Sequence, residues 1–192
     1  MISLDLQLTL LFYVNTFFIW HFKMTILIPA YDNGQLQPIE KMLVHKKGLK
    51  HLAISIFIIA DGKILLQRRA FSKYHTPGLW TNTCCSHQRD GESNIDAGQR
   101  RLHEEMGFTT ELTELTSFIY KASFDNGLTE HEFDHIMLGR YEDNPVINPD
   151  EVAAWKWMPL AEVKKDVEAN PKNYTVWFVI IFAKFYDHLN IN

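Results

Sequence analysis

The sequence predicts one domain of the α/β or α+β class, in which a mixed β-sheet is flanked by helices. Apolar stretches with strand character are interleaved with stretches of helical periodicity, which is the pattern of that class. A length of 192 residues suits a single hydrophobic core. Hydrophobic residues make up 46% and charged residues 22%, the balance of a globular protein, and no repeat or low-complexity tract interrupts it.

The first elements are expected to be strands. We predict a short strand at Ile26 to Ile28, followed by a turn at Asp32-Asn33-Gly34. The segment from Pro38 to Lys46 is expected to be a loop or a short strand that leads to His45. The segment HLAISIFIIA, residues 51–60, is apolar and β-branched throughout, which predicts a buried strand.

The middle of the chain combines a hairpin, an extended segment and a helix. Asp61-Gly62 predicts a tight turn into a strand from Lys63 to Arg69. Thr81 to His87 is expected to be a further strand or an extended loop. Asn94 to Glu105 has helical character, and Gly107 is well placed to end that helix.

The last third is expected to hold two paired strands, one short strand and two helices. Thr116 to Phe124 and Thr129 to Tyr141 flank a turn sequence and predict a hairpin. Trp155 to Met158 predicts a short strand. Leu160 to Glu168 and the strongly apolar Lys172 to Leu189 predict two helices.

Charge and cysteine content narrow the possible partners. The net charge is -4, so no basic field points to a nucleic-acid partner, and any anionic ligand must be held by a local group of Lys and Arg. The two cysteines, Cys84 and Cys85, are adjacent and do not easily reach disulfide geometry. We therefore expect reduced thiols and a cytoplasmic protein.

An apolar N-terminal extension, residues 1–23, is distinguished from a single domain over residues 24–192. The extension is long enough for a membrane span, but Asp5, Gln7 and His21 interrupt it, and it lacks a basic start and a small-residue cleavage site. Met24 begins a more ordinary sequence. A start-site artefact or dispensable extension, a membrane or interface anchor, and a packed helix all remain open.

The segment from Ser86 to Phe108 resembles the Nudix box, G-x5-E-x7-R-E-U-x-E-E-x-G-U. Seven positions match, namely Glu92, Arg100, Leu102, Glu104, Glu105, Gly107 and Phe108. Ser86 replaces the opening glycine, and Arg101 replaces a carboxylate. Because carboxylates hold Mg²⁺ against a diphosphate and guanidinium binds phosphate directly, the helix is expected to bind a diphosphate with weakened equipment for hydrolysis. The alternative is a solvated amphipathic helix with ion pairs at i,i+4 spacing.

A second group of residues has the chemistry of a metal site. In a strand, residues two apart share a face, so Glu130 and Glu132 point together while His131 points away. With His45, His51 and His87 they would suit a first-row divalent metal such as Mn²⁺ or Zn²⁺. Each histidine alone has a simpler structural explanation, and their convergence cannot be read from the sequence.

Cys85 lies next to this predicted metal site. Strand alternation puts Cys85 and His87 on one face and Cys84 on the other. A thiol and the Glu132 carboxylate on opposite sides of a substrate would form an acid/base pair. Two alternatives remain, in which Cys85 is a nucleophile or is itself a metal ligand.

Together these residues resemble the type I isopentenyl-diphosphate Δ-isomerases, which have a Nudix-type mixed β-sheet sandwiched between helices. The resemblance runs in order from about Ile26 to the C-terminus. Its motif residues are His45; His51; Arg69-Ala70-Phe71-Ser72-Lys73; Pro77-Gly78; Trp80-Thr81-Asn82; Cys85; His87; Gly91-Glu92-Ser93-Asn94; Arg100-Arg101; Glu105-Met106-Gly107; Tyr120; Glu130; Glu132; and Trp177. Ser86 and Gln88 depart from the glycine and proline that the family often has there, and neither change removes a catalytic group.

The resemblance implies a role for each residue. Cys85 and Glu132 would transfer protons on opposite faces of the allylic unit, Tyr120 would support Glu132, and Trp177 would stabilise a tertiary carbocation. A tightly bound Mn²⁺ or Zn²⁺ would be held by His45, His51, His87, Glu130 and Glu132. Glu105 would help to hold Mg²⁺ on the substrate diphosphate, which would contact Lys41, Arg69, Lys73 and Arg101.

The implied reaction is the 1,3-allylic rearrangement of isopentenyl diphosphate to dimethylallyl diphosphate in isoprenoid biosynthesis, without a redox cofactor. The expected partner is the small prenyl diphosphate substrate alone, with a monomeric protein and a membrane contact only if residues 1–23 are an anchor. Two other functions remain open: a Nudix hydrolase of a nucleoside diphosphate derivative, and a non-catalytic metal-binding or membrane-attached scaffold.

Overall fold

A long central strand, β3 (His51–Ala60), organises the fold. In the computed structural model, which describes residues 25–189, this strand lies within a nine-stranded mixed sheet. Most of its side chains are buried, as the unbroken apolar run predicts. The predicted N-terminal extension, residues 1–23, lies outside the described residues. Within the described part, no helix is long and apolar enough to cross a membrane.

The described part of the chain contains nine strands and four helices, and most of the strand pairs are antiparallel. They are β1 (Leu27–Asp32), β2 (Gln35–Glu40), α1 (Lys41–Lys47), β3, β4 (Lys63–Arg69), β5 (Trp80–Thr81), β6 (Cys84–Ser86), α2 (Asn94–Met106), β7 (Leu112–Ser123), β8 (Thr129–Gly139), β9 (Val152–Pro159), α3 (Leu160–Ala169) and α4 (Val176–Leu189).

The sheet pairing brings distant parts of the chain beside β3. Strand β8 runs parallel to β3 from His51 to Ile58, and β6 and β4 pair with it antiparallel. Strand β7 extends the sheet beyond β8, while β9 pairs with β4. The parallel pairing is the one that places the start of β3 beside Glu132.

Helices cover both faces of the sheet, so the predicted sandwich is confirmed. On one face, Phe57 and Leu66 pack against Phe178 and Ile181 of α4 and Val163 of α3. On the other face, β3 and β4 pack on the apolar side of α2, through Ile56, Leu65, Ala97, Leu102 and Met106. The two adjacent cysteines separate as strand alternation predicts, with Cys84 in the α2 core and Cys85 against the α4 core.

The prediction of a loop or strand at Pro38 to Lys46 holds only for Pro38 to Glu40, which end β2. It was wrong for the rest of the segment, because the helix α1 follows at once. Glu40 caps this helix: its Oε1 accepts the N–H of Met42 at 2.9 Å, and its Oε2 accepts the N–H of Leu43 at 2.6 Å. Gly48, in the left-handed conformation, ends it. Seven residues are too few for helical periodicity to stand out in the sequence.

Other boundaries shift by a few residues. Strand β1 continues to Asp32, beyond the predicted Ile28, and β7 begins at Leu112, four residues before the prediction. The last helix begins at Val176, because Pro171–Asn173 form a short 3-10 turn and Tyr174 bridges to Trp80. The predicted turn at Asp61-Gly62 and helix from Asn94 are confirmed.

Gly107, which ends α2, is expected to tolerate substitution poorly. Its φ is +76°, and a Cβ there would lie 2.3 Å from the carbonyl oxygen of Val146. Gly107→Ala should therefore cost more than the about 1–2 kcal/mol of a left-handed alanine alone, measured as the free energy of unfolding in urea. Gly91→Ala is the matched control, since φ is +72° and nothing lies within 4 Å. Equal losses in the two variants would contradict this.

Candidate active site

A buried cluster of histidines and carboxylates forms where α1, β3, β6 and β8 meet. Nε2 of His45 and Nε2 of His51 lie 3.2 Å and 3.4 Å from Oε2 of Glu130. Oε1 of Glu132 lies 3.6 Å from Nε2 of His51 and 3.4 Å from Nε2 of His87. The ligand atoms of His45, His51, His87 and Glu130 all lie within 4.8 Å of one another.

Backbone carbonyls orient two of the histidines. Nδ1 of His45 lies 2.6 Å from the carbonyl of Lys41, and Nδ1 of His51 lies 2.9 Å from that of Leu49. A protonated Nδ1 donates to each carbonyl, so in the neutral ring Nε2 presents its lone pair to the cluster. Lone pairs in this position could bind a cation together with the carboxylate.

The residues of the cluster fit a divalent metal ion. Within residues 25–189, the buried atoms without a hydrogen-bond partner include Nε2 of His45, His51 and His87, and Oε2 of Glu130. Buried polar groups rarely stay unpaired, and these are the donor atoms that divalent first-row metals prefer. Burial and nearby Lys41 hold the pKa of His87 well below its usual range, which keeps this ring neutral and able to bind a metal.

Charge within the cluster reinforces the need for a cation. Burial lowers the pKa of His51, but hydrogen bonding to Glu130 and Glu132 outweighs it and raises that pKa to about 10. Burial raises the pKa of Glu132, and the neighbouring Glu130 raises it further. Both shifts arise because two buried carboxylates lie close together and are stabilised by positive charge beside them.

The thiol of Cys85 lines the same pocket as His87, Glu130 and Glu132. Its Sγ lies 3.0 Å from Oγ of Ser55, and that hydroxyl donates to Oδ2 of Asp134 at 2.8 Å. Burial raises the pKa of Cys85 well above its usual value, and the charges of Asp134 and Glu132 raise it further. The thiol is therefore protonated at neutral pH, as a proton donor must be and an ordinary nucleophile would not be.

Two aromatic residues, Tyr120 and Trp177, contact groups of the same region. The hydroxyl of Tyr120 donates to Oε2 of Glu132 at 2.7 Å. The indole Nε1 of Trp177 donates to Oγ1 of Thr81 at 2.9 Å, which fixes the ring in the pocket wall. The guanidinium of Arg69 lies 5.2 Å from the centre of that ring.

Four basic side chains, Lys41, Arg69, Lys73 and Arg101, line the same pocket beside Glu105 and Glu151, and we call this part of the lining the cationic mouth. The lining of the pocket includes Lys41, Arg69, Lys73, Arg101, Glu105, Cys85, His87, Glu130, Glu132 and Trp177, so most of the residues predicted for the site converge there. His45, His51 and Tyr120 are buried next to Glu130 and Glu132 but do not line the pocket. Burial, together with the charge of Arg101, lowers the pKa of Lys41 to about 8. Such crowding of positive charge is unfavourable until an anion binds.

Arg101, the departure from the Nudix box, is surrounded by the carboxylates of its own helix. Its Nη1 lies 2.6 Å from Oε2 of Glu104, and its Nη2 lies 2.5 Å from Oε1 of Glu105. Glu105 also accepts a hydrogen bond from Nε2 of Gln67 at 3.1 Å. Glu105 does not belong to the histidine cluster, but it lines the same pocket.

Four residues near the site were not foreseen from the sequence. Asp134 continues the alternation of Glu130 and Glu132, so an extended period-2 reading would have found it. Ser55 faces it from β3. His75 and Glu151 come from irregular segments where no periodicity points inward; Nε2 of His75 lies 2.8 Å from Oε1 of Glu130, and Glu151 pairs with Lys73 and Arg101.

Comparison with known proteins agrees with this architecture. The NUDIX domain family matches residues 49–178. A crystal structure of DR0079 from Deinococcus radiodurans has a TM-score of 0.60 at 17% identity, with 75% of this chain and 89% of that chain covered. A MutT protein from Methanosarcina mazei has a TM-score of 0.59 at 16% identity, with coverages of 72% and 94%. The fold is therefore a Nudix fold.

Curated relatives define the family more closely. A protein of Serratia proteamaculans (strain 568), named isopentenyl-diphosphate Delta-isomerase, is 48% identical over 160 residues, 83% of this chain and 89% of its own. One of the same name from Jannaschia sp. (strain CCS1) is 47% identical over 85% of this chain and 95% of its own. The chain belongs to the isopentenyl-diphosphate Δ-isomerases of the Nudix superfamily.

Removing divalent metal should destabilise the protein. A metal that binds only the folded state stabilises it by about 2.7 kcal/mol at a concentration 100 times its Kd. We expect a chelator to lower the Tm and added Mn²⁺ or Zn²⁺ to restore it. His87→Ala should lose most of this shift, whereas His131→Ala, outside the cluster, should keep it. A Tm that does not respond to chelator or metal would contradict the metal site.

Proposed function

We propose that this protein converts isopentenyl diphosphate to dimethylallyl diphosphate, with Cys85 and Glu132 as the two proton-transfer groups. The observation that carries the proposal is one pocket that holds a protonated thiol, a buried carboxylate and a cationic mouth. The names of the relatives support it, since the chain covers most of their length.

The reaction requires one proton to be added and another to be removed. The neutral thiol of Cys85 supplies a proton to one face of the double bond, and the bond shifts as Glu132 accepts a proton from the far carbon. A tertiary cation forms between these steps, and the π face of Trp177 stabilises it. The hydrogen bond from Tyr120 holds the Glu132 carboxylate in position.

The metal cluster sets the charge of the carboxylate side. His45, His51, His87, Glu130 and Glu132 would hold Mn²⁺ or Zn²⁺. When bound, such an ion supplies the positive charge that offsets burial of the two carboxylates and favours the ionised form of Glu132. Cys85 is half-buried and Glu132 is buried, so the proton-transfer groups lie largely away from solvent.

The diphosphate is recognised at the cationic mouth. Lys41, Arg69, Lys73 and Arg101 would contact its oxygens, and Glu105 would help to hold a Mg²⁺ bound to it. Binding of the anion relieves the repulsion among these cations. Arg101 occupies the place of a carboxylate that hydrolysis by the Nudix box requires, which disfavours a hydrolase.

The cellular setting follows from the chemistry of the chain. Free thiols at Cys84 and Cys85 fit a reducing compartment, so we place the enzyme in the cytoplasm. One pocket contains all the groups that the reaction needs, so we expect a catalytically competent monomer.

Substitution of the thiol should abolish catalysis without unfolding the protein. Purified protein with isopentenyl diphosphate and Mg²⁺ in D₂O should give dimethylallyl diphosphate with deuterium incorporated at the allylic positions, detected by NMR. Cys85→Ala and Cys85→Ser should lose nearly all turnover because the proton donor is missing. Cys84→Ala, which changes a thiol on the opposite face, should have a mild effect. Wild-type turnover by Cys85→Ala would refute the assignment.

Loss of a mouth lysine should weaken substrate binding more than chemistry. A hydrogen bond to a charged group is worth about 1.5–3 kcal/mol, so Lys73→Gln should raise KM by about tenfold or more, with kcat changed less. Lys63→Gln, an exposed lysine at the start of β4, serves as the matched control. Steady-state kinetics at two salt concentrations would measure both constants. An unchanged KM would count against Lys73 as a diphosphate ligand.

A further inference from the structure

His75 is a buried histidine that the site described so far does not use. It lies in the irregular segment between β4 and β5, and only 5% of its surface is exposed. Its Nε2 is 2.8 Å from Oε1 of Glu130, the shortest distance between a histidine and this carboxylate. The contact is short but bent, and in the described part of the chain Nε2 has no better-aligned partner.

The two oxygens of Glu130 face different groups. Oε2 faces Nε2 of His45 and Nε2 of His51, at 3.2 Å and 3.4 Å. Oε1 faces His75 instead. Nε2 of His75 stands apart from the group of ligand atoms that lie within 4.8 Å of one another, so this ring contacts the carboxylate and not the centre of the cluster.

The surroundings of His75 hold its ring in one orientation. The ring stacks on Phe124, with 5.2 Å between centroids and planes 6° apart, and meets the indole of Trp177 edge-on at 5.6 Å. Nδ1 lies 3.1 Å from Oγ1 of Thr76. If the Thr76 hydroxyl donates to Nδ1, the proton of the neutral ring is on Nε2, directed to the side of Glu130.

The backbone beside His75 is strained. Thr76 has a φ of +46°, a conformation that β-branched residues avoid, and Gly78 follows at +72°. Nε of Arg68 donates to the carbonyl of Gly78 at 2.8 Å, which holds the turn closed. Strain of this kind persists only where surrounding contacts hold the backbone in place. At this turn, the strained backbone directs the His75 side chain towards the site.

We propose that His75 is a positioning residue for the metal site: it holds Oε1 of Glu130 so that only Oε2 is presented to the ion. The inference rests on the proposed metal site, and it connects that site to the pocket wall through the contact between His75 and Trp177. Loss of a residue that holds a ligating carboxylate in place typically weakens metal affinity by about 10–100-fold.

Metal affinity measured without substrate tests this role. Competition against a chromophoric chelator, with Mn²⁺ and with Zn²⁺, should give a Kd about 10–100-fold weaker for His75→Phe than for the wild type. The phenyl ring keeps the stacking on Phe124 and removes the N–H. His75→Gln restores an N–H donor and should recover part of the affinity. His131→Phe, the matched control, changes a histidine on the opposite face of β8 and should bind metal as the wild type does.

The measured metal Kd values decide whether His75 positions Glu130. A Kd of His75→Phe within twofold of the wild type would overturn the proposal, as would a loss that His75→Gln does not reduce at all, since that marks a direct ligand. Circular dichroism of the metal-free proteins checks the fold; if His75→Phe does not fold, His75→Ala is compared with His75→Gln. A wild type that binds no metal overturns the inference, whereas weakened binding in His75→Phe beside an inactive wild type overturns only the proposed reaction.

Discussion

Burial of three carboxylates on one face of β8 is the constraint around which this structure is arranged. Glu130, Glu132 and Asp134 alternate along the strand, and at most 5% of each is exposed. An isolated buried carboxylate costs several kcal/mol unless positive charge or hydrogen-bond donors offset the loss of water. The neighbouring elements supply these groups: histidines face Glu130, Tyr120 donates to Glu132, and Ser55 donates to Asp134.

The three carboxyl groups on this face differ in the direction or the cause of their pKa shifts. Burial alone would raise the pKa of Glu130, but the adjacent His45, His51 and His75 hold it well below its usual range. Burial, with the nearby charge of Glu130, raises the pKa of Glu132. Burial and Glu132 raise that of Asp134. Pairs of acids whose environments push their pKa values apart are a common basis for acid/base chemistry, which fits a reaction that moves protons.

The second half of the site shows how a Nudix fold can serve a different reaction. Arg101 lies within the carboxylate helix and pairs with Glu104 and Glu105, so positive charge replaces one of the groups that would hold metal for hydrolysis. The cationic mouth that results suits a diphosphate that is bound but not cleaved. In the proposed mechanism the diphosphate anchors the substrate, and the allylic unit reacts between Cys85 and Glu132.

The sequence by itself determined the central strand, the carboxylate helix with its Gly107 end and the alternation that separates Cys84 from Cys85, because these depend on local periodicity. It also supplied the candidates for the site, through residue types and family resemblance. Only the tertiary structure brought His45 and His51 to Glu130 and His87 to Glu132. The parallel pairing of β3 with β8 alone joins His51 to a strand about eighty residues further along the chain. Helix α1 was also found only in the tertiary structure. It is too short for helical periodicity to show in the sequence, and the Glu40 side chain caps its start. The tertiary structure alone placed His75, because a residue in a strained, irregular turn is directed inward by contacts that no local pattern encodes.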